Sequence, residues 1–326
     1  MTHPKISVIT PSFNQGIYIE DTIKSIISQE YPNVEYMVID GGSEDESVNI
    51  IRKYESKINY WISEKDTGQS EAINKGLRLA TGDIITWINS DDQLMPGALT
   101  RAANHFTKHP EMAVIHGKTI LFKENDVGEE RGDVEGLPFK YLAGMAFSQP
   151  SSFFKREALK NAGWLDQSLH YGMDYDFFVR LYLQGDFLFV NEMFSKYRLH
   201  NESKTMIAQE NFAKEWATVF SKVLRSFDNT KDLINVLKNL SIYDDQNTTY
   251  SVDRQLPVSF LRRSLSYFIY FQIIFYYQSV QLKKVESLAL YLKENDPDLF
   301  FKHNLGKVYW RSRWVPATLL KTFRNL

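Results

Sequence analysis

The sequence predicts an α/β protein with a mainly parallel sheet, helices on both faces and a helical C-terminal region. Three observations carry that prediction. Strand and helix patterns alternate through the first third of the chain, each strand closes on small or acidic residues, and beyond Ala208 the patterns are helical only. Ile6–Thr10 reads as the first strand and Ile19–Gln29 as the first helix. Val34–Asp40 and Ser47–Tyr54 repeat the pair, then Ile58–Ser63 and Gln69–Ala80, and Asp83–Asn89 is a fourth strand. The strand ends are Thr10-Pro11-Ser12, Asp40-Gly41-Gly42-Ser43, Glu64-Lys65-Asp66 and Asn89-Ser90-Asp91-Asp92. In such sheets ligands bind outside the carboxyl ends of the strands, so these polar residues converge on one edge.

After Lys123 the pattern loosens. Glu124–Gly136 is rich in charge and glycine and reads as a mobile surface loop. A strand at Ser152–Lys155, a helix around Glu157–Ala162, another over Asp174–Leu183 and a strand near Phe187–Val190 follow. The polar stretch Asp244–Pro257 reads as a hinge or linker before a last helical region rich in Phe and Tyr.

Composition narrows the function. With 326 residues the chain has room for one large domain and a smaller appended one, and 43 % hydrophobic with 24 % charged residues is a globular profile. A formal charge of -2 gives no reason to expect nucleic-acid binding. The absence of cysteine excludes disulfides, zinc–thiolate sites and thiol catalysis, and permits a reducing cytoplasm. Met1-Thr2-His3-Pro4-Lys5 leads straight into a strand, without the pattern of a signal peptide. The longest apolar stretch, Phe268–Val280, is too short to span a bilayer.

The densest chemistry lies at Trp87-Ile88-Asn89-Ser90-Asp91-Asp92, where an apolar strand stops on three side chains carrying oxygen ligands. Carboxylates placed there can hold a divalent cation against a diphosphate. The same residues would also serve as a polar turn capping a helix that begins near Met95-Pro96. A carboxylate followed by a helix recurs at Met173-Asp174-Tyr175-Asp176, where capping is again the alternative role.

The order of these pieces resembles the family-two glycosyltransferases, inverting enzymes with the GT-A fold. The matching segments are Ile9–Asn14, Val38–Asp45, Asp66–Gly76, Gly82-Asp83, Asn89–Asp92, Gln149–Ser152, Gly163–Asp166, Met173–Asp176 with Arg180, and Tyr197–His200. The resemblance spans roughly residues 4–205. It implies a catalytic domain over 1–208, with a donor half at about 1–123 and an acceptor half at about 137–208, ahead of a helical region at 209–326. Thr10, Pro11, Ser12, Asp40, Asp66, Gln69, Asn89 and Asp92 then correspond to donor-site residues. Asp91 is the expected ligand of a magnesium or manganese ion, His200 its companion, and Asp174 the general base that takes the acceptor proton. Asn89 stands where the family usually has an acid, and an amide there can still bond a ribose hydroxyl without adding charge. Asp92 is expected in the second sphere or at the sugar. Asp45 either caps the second helix or faces the nucleotide. Asp176, the runner-up base, should point away from Asp174, and Arg180 reads as a salt-bridge residue.

The resemblance implies transfer of a sugar from a nucleoside diphosphate to a saccharide or lipid-linked acceptor hydroxyl. The setting would be bacterial surface polysaccharide or glycoconjugate synthesis, in the cytoplasm or at the inner face of its membrane. A nucleotidyltransferase is the competing enzyme class, but Thr10–Gly16 has no basic residue for a triphosphate. A catalytically dead binding module would have lost the metal acid or the base, and both are present. Beyond Asp298 there is no further acid, while Lys302, Lys307, Arg311, Arg313, Lys321 and Arg324 lie among Phe300, Phe301, Trp310, Trp314, Val315, Leu319, Leu320 and Phe323. That mixture suits either the interface of an anionic membrane or packing onto the catalytic domain or a second subunit, and Pro316 interrupts any continuous amphipathic helix.

Overall fold

A computed structural model describes residues 3–123, 128–132, 137–200, 204, 208–318 and 320. The chain forms two compact units, Met1–Gly136 with Met145–His200, and Leu137–Gly144 with Asn201–Leu326. Leu137–Gly144, read from the sequence as part of the acceptor half, therefore belongs with the C-terminal helices.

The first unit is built on a nine-stranded sheet: β1 (Ile6–Ser12), β2 (Val34–Asp40), β3 (Tyr60–Ser63), β4 (Ile84–Trp87), β5 (Gln93–Leu94), β6 (Val114–Phe122), β7 (Glu129–Arg131), β8 (Ser152–Lys155) and β9 (Phe187–Arg198). The order is β3-β2-β1-β4-β8-β6-β9-β5, with β7 on β6. β3, β2, β1 and β4 run parallel, whereas β8 pairs antiparallel with β4 and β6. The helices are α1 (Ile19–Ile27), α2 (Ser47–Lys53), α3 (Gln69–Leu79), α4 (Ala98–Lys108), α5 (Lys140–Ala143, in the second unit), α6 (Arg156–Ala162) and α7 (Met173–Gln184). Period-two alternation places helices on both faces. Val8 joins the cluster that holds Ile19, Ile23 and Ile26 of α1, while Ile9 packs against Gly76 of α3. Strand order reverses between β1 and β4, which makes the crevice beyond their carboxyl ends the natural ligand site of an open sheet.

Three sequence expectations need correction. The helix after Asp92 starts at Ala98, and β5 intervenes, pairing Gln93 with Lys196 and Leu94 with Ser195; the Asn89–Asp92 turn therefore caps no helix. The charged stretch expected to be a loop contributes β7, which pairs Glu129–Arg131 with Thr119–Leu121, while 124–127 and 133–136 lie outside the described residues. The strand expected at Phe187–Val190 runs on to Arg198.

In the second unit, helices at Gln209–Arg225 and Val258–Gln278 meet through aromatic rings. Phe220 stacks on Phe268 at 4.3 Å, and Trp216 meets Phe275 edge-on at 4.9 Å. Gly144 fits because it has no side chain: a Cβ there would stand 2.3 Å from Trp216. Ser264 Oγ donates to the Phe139 carbonyl, which fixes the segment before α5 to the long helix. Asp244–Pro257 is not a free linker, since the Asp244 carboxylate accepts from the Thr218 hydroxyl, the Asp244 N–H donates to Ser221 Oγ, and the Tyr250 N–H donates to Ser226 Oγ. Among the described residues no helix is long and apolar enough to cross a membrane.

Candidate active site

The nucleoside end is formed by the mouths of β1, β2 and β3. Thr10, expected there, is fully buried, and its hydroxyl accepts from Tyr36 at 3.2 Å; because β1 extends to Ser12, Thr10 lies two residues inside the sheet. Pro11 is tolerated in this central strand because the ladder to β4 has already ended at Ile9–Trp87, so no bond is lost on that side. Ser12 is buried, and its Oγ makes no hydrogen bond among the described residues.

Asp40 is fully buried and its carboxylate is saturated. Oδ2 accepts from the N–H of Gly42 (3.1 Å) and Ser43 (2.9 Å) and from Ser63 Oγ (2.7 Å), and Oδ1 accepts from Ser43 Oγ (2.6 Å). Four bonds fill the usual capacity of a carboxylate. Asp66 differs. Oδ1 accepts from Gly68 N–H at 2.9 Å, and Oδ2 makes no hydrogen bond among the described residues. Burial raises its pKa, with the negative neighbours Glu71 and Asp40 adding to the rise against Lys75 and the Gly68 bond. Gly41 is required beside it, because a Cβ there would lie 2.8 Å from Asp66 Oδ2. Asp45 laces two loops together, accepting from Gly16 N–H (2.8 Å) and from Ser47 N–H at the start of α2 (2.9 Å). Of its two expected roles, the structure shows the helix-end one.

At the mouth of β4 the side chains form a chain of contacts. Gln69 Nε2 donates to Asn89 Oδ1 at 2.9 Å, and Asn89 Nδ2 donates to Asp92 Oδ2 at 3.3 Å. Asp92 is 1 % exposed; its pKa is raised well above the usual range, first by burial and then by Asp91, with the Arg198 N–H bond to Oδ1 (3.0 Å) opposing. It is thus a buried anchor for the loop. Arg198 is the residue the sequence reading passed over. Its Nε donates to the Asp91 carbonyl at 3.1 Å, an Nη meets Asp21 at 3.0 Å, and its guanidinium lies 4.8 Å from the Tyr18 ring and 4.6 Å from Phe122. The signals for it were its place in the matching segment Tyr197–His200 and its position two residues before His200, on the same side of an extended segment.

Asp91 and His200, far apart in sequence, meet with Oδ2 3.1 Å from Nε2, and Tyr18 packs 4.8 Å from the imidazole. Both side chains are mostly covered, 24 % and 12 % exposed.

Asp174 stands half-buried in the first turn of α7, where Oδ1 accepts from the Tyr175 N–H at 2.8 Å. Asp176 is committed elsewhere: it is buried and holds Arg180 through two contacts of 2.7 and 2.8 Å, while Arg180 also reaches the Ala162 carbonyl. The start of α7 is tied to α3 by Ser70 Oγ on Met173 Sδ (2.7 Å), and the segment leading into α7 is tied to α3 by Asn74, which bonds Leu165 through both its amide atoms (2.9 Å each). One turn after Asp174, Phe177 and Phe178 pack on Trp87 at 5.7 Å, two residues before Asn89. Gln149, buried and also unassigned by the sequence reading, donates to the Trp87 carbonyl at 2.8 Å. The helix that carries Asp174 and the acidic loop therefore share one support.

Residues 7–163 match the family described as glycosyl transferase family 2. An uncharacterised glycosyltransferase of Mycobacterium tuberculosis is 32 % identical over 184 residues, which cover 54 % of this chain and 68 % of that one. The chain belongs to glycosyl transferase family 2. The enzyme is also 28 % identical, over 64 % of its length and 69 % of the relative's, to the GalNAc(5)-diNAcBac-PP-undecaprenol beta-1,3-glucosyltransferase of Campylobacter jejuni. Its fold is similar to that of a mannosyltransferase from Pyrobaculum calidifontis in complex with GDP-Man and Mn2+, with a TM-score of 0.60 and 16 % identity, covering 96 % of this chain and 83 % of the other. The glycosyltransferase thus has the GT-A architecture.

Whether the residues fit a divalent cation can be judged from the donor set. Cis ligands of an octahedral ion with bonds near 2.1 Å stand about 3 Å apart. The Asp91–His200 separation of 3.1 Å matches that spacing. Among the described residues no cluster of three or more His, Cys, Asp or Glu forms a closed cage. An open pair of one carboxylate and one imidazole leaves positions for diphosphate oxygens and water, as Mg2+ or Mn2+ sites on phosphates do.

Proposed function

We propose that the enzyme is an inverting, cation-assisted glycosyltransferase that moves a sugar from a nucleoside diphosphate to an acceptor hydroxyl during synthesis of a bacterial surface glycan. The observation that carries this reading is the pairing of Asp91 with His200 beside a loop whose support, Trp87, also carries the helix of Asp174. Asp91 and His200 would hold the cation, which supplies positive charge against the diphosphate as it departs. Ser12 Oγ and Asp66 Oδ2, both uncommitted, are the groups available to the nucleoside, and saturated Asp40 shapes the loop beneath it. Gln69 and Asn89 orient one another, so one can meet the ribose while the other fixes its angle. Asp174 takes the proton of the acceptor hydroxyl as that oxygen attacks the anomeric carbon from the side opposite the leaving diphosphate, which inverts the configuration. The likeness to an undecaprenol-linked glucosyltransferase supports a lipid-linked acceptor, presented at the inner face of the cytoplasmic membrane.

The test is release of nucleoside diphosphate from a panel of sugar donors, with and without Mg2+ or Mn2+. Asp174→Asn should lower transfer by roughly 10²–10⁴-fold with donor binding retained, and Asp91→Ala should abolish both activity and metal-dependent nucleotide binding. Transfer within a few fold of wild type in the Asn variant removes Asp174 from the role of base. Full activity in excess chelator removes the cation.

A further inference from the structure

The helix Leu305–Trp314 has two unlike sides. Leu305 and Ser312 are buried, and the preceding turn buries Leu299 and Phe300. The opposite side carries Lys307, Trp310, Arg311 and Trp314, at the i, i+3, i+4, i+7 spacing that aligns side chains along one stripe. Trp310 is 58 % exposed, Trp314 65 % and nearby Phe301 67 %, so the tryptophans are not core residues. Arg313 lies over the Trp314 ring at 5.4 Å, and its only carboxylate neighbour in ion-pair range among the described residues, Glu286, is 3.8 Å away. Pro316 ends the helix without erasing the stripe. Leu319, Lys321, Phe323 and Arg324 lie outside the described residues and are not needed for it.

We propose that this stripe docks the enzyme on an anionic lipid bilayer. Large aromatic rings alternating with cations, with no acid among them, match a surface of negative headgroups over hydrocarbon: tryptophan settles at that boundary and each cation meets lipid phosphate. A second copy of the chain fits less well, because a two-fold interface sets the same patch against itself. That would oppose Lys307 and Arg311 to their own kind with no carboxylate between them. The helix lies on the bilayer, since no described helix can cross it. Docking here stands apart from the transfer chemistry, and its test reads lipid binding alone.

The full chain should co-sediment with vesicles of phosphatidylcholine plus phosphatidylglycerol, bind far less to phosphatidylcholine alone, and detach as salt rises. Lys307→Gln and Arg311→Gln should each weaken binding about fivefold, and Trp310→Ser with Trp314→Ser should weaken it at least as much. All these positions are exposed, so thermal unfolding should be unchanged; Lys307→Gln, at a side chain with no hydrogen bond or ion pair among the described residues, guards against misfolding in the others. Failure of the full chain to bind anionic vesicles overturns the proposal, as does equal binding by the double tryptophan variant. A concentration-dependent dimer abolished by that variant, without vesicle binding, would assign the stripe to self-association instead.

Discussion

Replacing Asp40 separates anchoring from nucleotide contact. In Asp40→Ala all four accepted hydrogen bonds disappear. The hydroxyls of Ser43 and Ser63 can rotate towards other acceptors, but the N–H groups of Gly42 and Ser43 are fixed by the turn and would face a void. A buried donor left unsatisfied costs roughly 1–3 kcal/mol, so the two together should cost about 2–6 kcal/mol. In Asp40→Asn the amide oxygen can take the Oδ2 position and keep three bonds, while its NH2 faces Ser43 Oγ, which can turn to accept. Only charge assistance is lost there, about 1 kcal/mol. Urea unfolding followed by circular dichroism reads both as shifts of the midpoint at constant slope. An Ala variant within about 1 kcal/mol of wild type, or an Asn variant as unstable as the Ala one, would refute the anchoring argument. If the Asn variant folds normally yet loses donor affinity tenfold or more, Asp40 contacts the nucleotide directly.

Arg198→Ala should leave the Asp91 carbonyl and buried Asp92 without the guanidinium held between Tyr18 and Phe122. The expected loss is about 2–4 kcal/mol of stability, with cation-dependent nucleotide binding weakened in proportion to the displaced loop. Arg198→Lys should recover part of the stability but not the paired contacts, and unchanged metal dependence in the Ala variant would show that the loop stands without it. Glu35 gives a pH prediction. Burial pushes its pKa up, but bonds from Lys5, Ser7 and Thr81 outweigh that and hold it at about 2, below the ordinary 4.5. A depressed carboxylate contributes stability that is complete above about pH 4.5 and fades as pH falls towards 2. Glu35→Gln should therefore lose on the order of 2–3 kcal/mol at neutral pH and nothing near pH 2. Equal destabilisation at both pH values would place the effect in packing rather than charge.

The parallel half of the sheet was legible because each crossover helix is long and amphipathic and each strand is a compact apolar run. What escaped were elements whose residues carry no apolar periodicity. β7 lies among charges, and its pairing with β6 depends on a partner already seated in the sheet. Asp244–Pro257 has the polarity of a linker, yet the Asp244 carboxylate is taken up by Thr218 and the Asp244 and Tyr250 N–H groups by Ser221 and Ser226, on the helix Gln209–Arg225 and at its end, contacts that sequence spacing does not encode. The saturation of Asp40 was invisible for the same reason. Three of its four donors come from Asp-Gly-Gly-Ser itself, but the Ser63 hydroxyl arrives through the β2–β3 register that sets it opposite Asp40. Thr10 could be placed only once the end of β1 was known, since two residues decide whether a hydroxyl sits at the mouth or in the core.

The least legible element, β5, explains how Asp91 and His200 meet. Its two residues pair antiparallel with β9, Gln93 opposite Lys196 and Leu94 opposite Ser195. Continuing that register back along β5 and forward along β9 sets Asp92 opposite Tyr197 and Asp91 opposite Arg198, with His200 two residues further on. Arg198 closes the ladder by donating its N–H to Asp92 and its Nε to the Asp91 carbonyl. The 3.1 Å approach of His200 to Asp91 thus follows from backbone register more than from side-chain reach. A register slip of one residue would turn these side chains to the opposite face, so a strand too short to predict fixes the spacing on which the proposed cation site depends.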